Sequence, residues 1–217
     1  MRRMSRARES SQAIARRSDL LAAARAIFSE RGYHETTVED ITRAAGVAKG
    51  TFYLYFSEKR EIFLEIIREL LDAIRACGAM IRDAKPGEHP LAFVGRTEEA
   101  AMRLIELFQE NRALVRVAYR ESMGMDPTLD QMMREFYRET AELDADAIRV
   151  AQDAGIIRRE CDPMLTAYAH IGMIERVLLT LIETPEIFPD PRELIRQMIR
   201  LGYEGMKPAS APAMPST

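Results

Sequence analysis

Apolar residues recur along this chain at three- and four-residue spacing, broken by short polar stretches, and no segment reads as a strand. Leu20, Leu21, Ala24, Ile27 and Phe28 form the first stripe. Ser18 suits the N-cap of that helix, with Asp19 beside the positive end of its dipole, and Gly32 suits its C-terminal stop. Thr37, with Asp40 three residues on, has the spacing of a capping box with Asp in place of the usual Glu. It opens a short helix whose narrow apolar face is Val38, Ile41, Ala44 and Ala45 and which Gly46 stops. A third short helix is expected from about Ala48 to Phe56. Ser57 then caps a long one to about Asp83, with Ile62, Phe63, Ile66, Ile67, Leu70, Leu71 and Ile74 on its apolar side. Residues 83–90, with Pro86-Gly87 as the breaker, read as a loop.

The rest of the chain continues in the same way. A helix is expected over Leu91 to Glu110, and Asn111 caps the next, to about Ser122. The pairs Asp126-Pro127, Asp162-Pro163 and Asp190-Pro191 each put Asp at an N-cap and Pro at the first helical position, where its missing N–H costs nothing. Helices therefore start near Pro127, Pro163 and Pro191. They are expected to end after about Asp153 (at Gly155), at Glu183 to Pro189, and near Gly205. The expectation is an all-α chain of about nine helices. It divides into a basic disordered arm (1–17), a helix-turn-helix region (18–60), a helical body (61–206) and a disordered Pro/Ala/Ser tail (207–217).

Composition narrows the function. The chain has 217 residues with 47% hydrophobic and 30% charged, enough for a packed core. Two cysteines, Cys77 and Cys161, supply neither a disulfide framework nor zinc-ligand spacing. No two histidines stand at i,i+4, no nucleophile–base arrangement or glycine-rich phosphate loop appears, and so neither an enzyme nor a metal site is expected. No run of about 18 uncharged apolar residues suggests a membrane span, and no apolar signal core follows the basic N-terminus. The cytoplasm is the expected compartment, with no membrane partner. The net charge of −3 conceals an asymmetry: residues 1–60 carry 12 Lys and Arg against 7 Asp and Glu, and the remainder 19 against 27. A basic N-terminal part on an acidic body suits a nucleic-acid reader with a second function, and equally a basic tail without a partner.

The informative stretch is TTVEDITRAAGVAKGTFYLYFSEK, residues 36–59. Two short helices joined through Ala45-Gly46-Val47-Ala48 make a helix-turn-helix. The second is too short to stand alone, so its neighbours must hold it. Phe52 and Phe56, four apart, face inward. The small and polar residues Ala48, Lys49, Gly50 and Thr51 leave the backbone free to approach a DNA groove, and Tyr53 and Tyr55 bring hydroxyls for phosphates or base edges. Thr37 and Lys59 stand at flanking helix N-termini, where backbone N–H groups attract phosphate.

From Phe28 to Ile67 the chain resembles the DNA-binding domain of the TetR family of bacterial transcriptional regulators. The resemblance is carried by Gly32-Tyr33, Thr36-Thr37-Val38, Ile41, Ala44-Ala45-Gly46-Val47, Lys49-Gly50-Thr51-Phe52-Tyr53, Tyr55-Phe56 and Lys59. It implies a homodimeric repressor that binds a palindromic operator in double-stranded DNA and is released by a small-molecule effector. It implies base readers among Ala48, Lys49, Gly50, Thr51 and Tyr53, and phosphate contacts from Thr37, Tyr55 and Lys59. The arginine-rich segment before Ser18 then reaches an adjacent minor groove or adds salt-dependent affinity.

The body is less legible. The resemblance implies an effector among its middle helices and a dimer built by its last two. Candidate pocket residues are Met102, Arg116, Tyr119, Met133 and His170, although methionines at helical spacing also suit a plain core. Candidate dimer residues are Leu165, Tyr168, Ile174, Val177, Leu178, Leu181, Leu194, Met198 and Leu201, the stripes of the last two helices, which equally suit the subunit's own core. No cofactor is implied. A ligand-responsive activator, and a helical interaction protein of the same fold that has lost operator binding, are the alternative readings.

Overall fold

The computed structural model describes residues 2–82, 90–121 and 126–209; the expected loop at 83–89, the end of the helix at Ser122 and residues 210–217 of the expected tail lie outside them. The described residues contain nine α-helices and no strand: α1 (Arg2–Arg31), α2 (Val38–Ala44), α3 (Lys49–Phe52), α4 (Lys59–Arg82), α5 (Pro90–Glu110), α6 (Arg112–Glu121), α7 (Pro127–Asp153), α8 (Pro163–Glu183) and α9 (Pro191–Met206), with one 3-10 turn at Pro185–Ile187. The all-α expectation holds.

The caps work as their chemistry requires. The Asp40 backbone N–H donates to Thr37 Oγ1 (3.2 Å), and the Thr37 N–H donates back to Asp40 Oδ2 (3.0 Å). Asp162 accepts from the Leu165 N–H, and Asp190 from those of Arg192 and Glu193. Gly46 turns the chain at φ +66°, a conformation a β-carbon disfavours. Two boundaries differ from expectation. α1 starts at Arg2 rather than near Ser18, because the arginines and alanines of its beginning favour helix even without an apolar face. α3 ends at Phe52, and residues 53–55 form turns in which the Leu54 N–H reaches Thr51 O and the Tyr55 N–H reaches Phe52 O.

The chain forms two compact units. The first comprises Met1–Leu71 and Asn111–Asp130. Its core is Leu20, Ala24 and Phe28 of α1, Ile41 of α2, Phe52 and Phe56 about α3, Ile62, Phe63, Ile66 and Ile67 of α4, and Leu114 of α6. Phe28 meets Phe63 edge-on at 5.5 Å, and Tyr33 lies 4.6 Å from Phe63. Arg25 joins α1 to Glu69 on α4 and to Asn111 before α6. Arg17 pairs with Glu65 while its guanidinium lies over the Phe56 ring.

A forked ion pair closes this unit. Arg60 Nε and Nη2 donate to Asp126 Oδ2 (2.6 Å) and Oδ1 (2.7 Å), and Nη2 also to Thr128 Oγ1 (2.6 Å). Asp126 caps α7 as well, accepting from the Thr128 and Leu129 N–H groups. The Arg60 hydrogen bond, helped by those N–H donors, lowers the Asp126 pKa from 3.8 to about 2. A lowered carboxylate pKa stabilises the fold above the unfolded value and loses that stabilisation as pH falls through the folded one. After allowance for solvent screening, Asp126 should thus contribute on the order of 1 kcal/mol at neutral pH, lost between about pH 4 and pH 2. Urea titrations of wild type and Asp126→Asn should show the variant less stable at pH 7 and the gap closing by pH 2. A gap of constant size over that range would contradict this assignment.

The second unit comprises Asp72–Glu110 and Gln131–Thr217. Ile105, Leu178, Leu181 and Ile195 join α5, α8 and α9 in one buried cluster. Ala141, Ala145, Ile148 and Ala167 form another, shared by α7 and α8. α8 is long and apolar enough to cross a membrane by length and composition alone, although, as the sequence indicates, no run of about 18 residues in it is free of charge. It carries Glu175 and Arg176 at its middle, the former accepting a hydrogen bond from the Tyr137 hydroxyl (2.5 Å).

Candidate nucleic-acid interface

The first unit holds all eight DNA-contact candidates. α2 and α3 pack against each other, and the Val47 N–H donates to Thr42 O (3.0 Å), tightening the turn between them. Phe52 and Phe56 are buried, with ring centroids 5.6 Å apart. Anchoring that side of α3 turns Ala48, Lys49 and Gly50 outward, all three exposed, with Thr51 and Tyr55 half-buried. Tyr53 is 52% exposed. Ala48 caps α3 in extended conformation with no side-chain hydrogen bond. A β-carbon at Gly50 would meet nothing within 4 Å, so nothing in the chain's own packing demands glycine there.

Charge on this face is arranged in pairs. Lys49 Nζ donates to the Glu39 carboxylate of α2, and both side chains are about half exposed. That bond raises the Lys49 pKa and lowers that of Glu39. The Thr37 hydroxyl donates to Asp40 (2.6 Å), which with the Thr37 backbone bond holds Asp40 below its ordinary range.

Lys59 is placed otherwise than a free phosphate donor. Its ammonium donates to the carbonyls of Tyr33 (2.7 Å), Thr36 (2.6 Å) and His34 (3.4 Å) and sits 4.4 Å above the Tyr33 ring. Burial pushes its pKa below the usual lysine value. An ammonium has three N–H donors, and three carbonyls occupy them. Lys59 therefore locks the turn between α1 and α2 onto the start of α4. Sequence spacing placed it at a helix N-terminus but could not show which carbonyls the folded turn would aim at it.

Two residues that sequence reasoning passed over belong to this face. Glu39 is one. Leu54 is the other, 78% exposed beside Tyr53. The signal for Leu54 lay in the pattern itself: with Phe52 and Phe56 inside, the position midway between them turns outward.

The effector candidates are not gathered in one unit. Arg116 and Tyr119 belong to the first; Met102, Met133 and His170 belong to the second. Met102 packs against the α5–α8–α9 cluster and lines a small hollow with Glu98, Arg192, Ile195 and Arg196. That hollow is small and partly open to solvent, with no enclosed space for a small molecule. His170 Nδ1 lies 3.2 Å from Asp144 Oδ2. Among the described residues, two buried side-chain polar atoms find no hydrogen-bond partner, Arg75 Nε and Thr140 Oγ1, both in the second unit.

The dimer candidates divide as well. Leu178 and Leu181 are buried in the subunit's own core, against Ile105 and Ile195. Ile174, Val177 and Leu194 pack onto that cluster, and Met198 is half-buried. Leu165 (71%), Tyr168 (48%) and Leu201 (68%) stay exposed. Periodicity located the apolar faces but not the neighbour each one covers.

A sequence profile of bacterial regulatory proteins of the tetR family matches residues 20–66. The chain is 31% identical over 162 residues to UidR of Escherichia coli strain K12, an HTH-type transcriptional regulator, covering 75% of this chain and 79% of UidR. It is 43% identical over 65 residues to KstR2 of Mycobacterium tuberculosis strain H37Rv, an HTH-type transcriptional repressor, covering 30% of this chain and 32% of KstR2. The fold is similar to that of SmeT in complex with triclosan, with a TM-score of 0.73, 23% identity, and 94% of this chain and 98% of SmeT covered. SmeT represses a multidrug efflux pump of Stenotrophomonas maltophilia.

Proposed function

Since the chain belongs to the tetR family of bacterial transcriptional regulators, we propose that it is a cytoplasmic homodimeric repressor which holds a palindromic operator until a small molecule binds its second unit. The observation that carries this reading is the division of α3 and the turn after it. Phe52 and Phe56 are sunk in the core, while Ala48, Lys49, Gly50 and Tyr53 are held outward on a helix too short to exist without that anchorage. Lys49, Thr51 and Tyr53 read base edges, Ala48 and Gly50 let the backbone approach, and Thr37 and Tyr55 meet phosphates. Lys59 acts by positioning the turn. The basic start of α1 adds sequence-independent, salt-dependent affinity.

Dimerisation is assigned to the exposed strip of α8 and α9: Leu165 and Tyr168 with the small exposed Ala169 and Gly172, and Leu201 with Gly205. A two-fold axis through such a strip makes it self-complementary and covers apolar side chains that one subunit leaves in water. It accounts for the apolar character of α8 without a membrane. Two recognition helices then lie about 34–36 Å apart, one helical turn of DNA. The unpartnered Arg75 Nε and Thr140 Oγ1 favour the second unit for the effector, because a buried donor without an acceptor costs about 1–3 kcal/mol. The effector shifts the balance between DNA-competent and incompetent dimers only by its different affinity for the two. The repressor sign follows KstR2.

Tyr53→Ala tests the interface. Operator affinity should fall by about tenfold or more, the loss of one specific contact. Helicity by circular dichroism and dimer mass by sedimentation should not change. Unchanged operator affinity would remove Tyr53 from the reading surface.

A further inference from the structure

We infer that Glu39 of α2 is a specificity determinant of the DNA-binding face: it holds the Lys49 ammonium when no operator is bound and so suppresses binding to the wrong sequence. The inference rests on the reading of α3 as the recognition helix. The carboxylate is placed where a regulator of DNA would be expected to avoid one. Glu39 and Lys49 stand ten residues apart, on the two helices of the helix-turn-helix, and their charged ends meet across the turn. Neither is drawn into this pairing by burial, since both side chains are about half exposed. The neighbouring carboxylate does not compete for Lys49: Asp40 accepts from the Thr37 hydroxyl and backbone N–H, and lies 3.5 Å from Arg43 and 3.6 Å from Arg31. Lys49 is therefore neutralised by Glu39 alone among the described residues whose ion pairs are resolved.

An exposed ion pair of this kind is weak, so it yields to a better partner. On a phosphate backbone of arbitrary sequence, Lys49 gains one contact, but Glu39 is left unpaired and close to negative charge. On the right sequence, Lys49 finds its base or phosphate and the freed carboxylate accepts from the exposed amino group of a cytosine or adenine in the major groove. The same carboxylate thus costs affinity on every sequence that lacks an amino group at that point, and discrimination arises from the repulsive element as much as from the attractive one.

The test is Glu39→Gln, which keeps shape and hydrogen bonding and removes the charge. Dissociation constants are measured for a selected operator and for a scrambled duplex of equal length, from 50 to 300 mM KCl. Affinity for the scrambled duplex should rise about fivefold per subunit at 150 mM, and its log–log salt slope should steepen by up to about 0.9 per subunit, the signature of one more net positive charge at the phosphate backbone. Operator affinity should change less than threefold, so the specificity ratio falls. Lys49→Ala and the double variant complete a cycle, in which the gain from Glu39→Gln should shrink once Lys49 is absent. An unchanged scrambled-duplex affinity, or an equal rise on both duplexes, overturns the role of Glu39 while Lys49→Ala still weakens the operator. If Lys49→Ala binds operator like wild type, the reading of α3 itself fails instead.

Discussion

Replacing Gly50 by leucine is expected to leave the protein folded and abolish its sequence-specific DNA binding. The two effects have separate causes. In the free chain Gly50 is exposed in the middle of α3, and a β-carbon there meets nothing within 4 Å. Its backbone has no positive φ that would require glycine. Glycine inside a helix costs about 0.5–1 kcal/mol relative to alanine, so a side chain at this position should hold or slightly raise the melting temperature. On DNA the same side chain stands between the helix backbone and the groove. A leucine there pushes α3 outward and weakens the contacts of Lys49, Thr51 and Tyr53 together. The expected loss is at least about 100-fold in operator affinity, or about 2.7 kcal/mol. Gly50→Ala should fall between wild type and leucine. Thermal melting and operator titration on the three proteins check both halves. A leucine variant that binds operator within threefold of wild type would place the DNA elsewhere on the first unit.

Phe52→Ala should do the reverse and remove the fold of the first unit. Phe52 is fully buried, pairs with Phe56 at 5.6 Å, and is the main anchor of a four-residue helix. Truncating a buried phenylalanine costs about 3–5 kcal/mol, counting lost burial and the cavity left behind. Domain stabilities of roughly 5–15 kcal/mol leave little after such a loss. A urea titration followed by circular dichroism should show a first transition moved to much lower denaturant, with the second unit still melting near its wild-type midpoint. The neighbouring Tyr53→Ala, at an exposed position, should leave both transitions in place. A Phe52→Ala loss under about 1 kcal/mol would mean that α3 is held by something other than its aromatic underside.

Much of the fold was legible in the sequence where a boundary carries an Asp-Pro pair or a reciprocal cap, although the Ser18-Asp19 cap signal falls inside α1. The three Asp-Pro pairs open α7, α8 and α9, and the Thr37/Asp40 spacing closes into a reciprocal cap. Boundaries without such chemistry were missed. Nothing before Ser18 has an apolar face, yet α1 extends to Arg2 on propensity alone. Tyr53 to Tyr55 carry no helix breaker, yet α3 ends at Phe52 and turns follow, for which the sequence holds no local signal. The site follows the same division. Which residues of α3 face out follows from Phe52 and Phe56 standing four apart. What those outward residues touch does not, because Glu39 meeting Lys49, and Lys59 meeting the carbonyls of Tyr33 and Thr36, are consequences of how the turns close. In the second unit, periodicity showed apolar stripes on α8 and α9 but could not assign Leu178 and Leu181 to the subunit's own core.

The central claim is that this chain is a dimeric, sequence-specific reader of DNA. Selection of binding sites from a random duplex library at about 150 mM salt, where non-specific binding is weak, tests it most directly. The account predicts an enriched palindrome whose half-site centres lie about 10–10.5 base pairs apart, or a multiple of that spacing. Recovery of no enriched sequence by a folded dimer would contradict it.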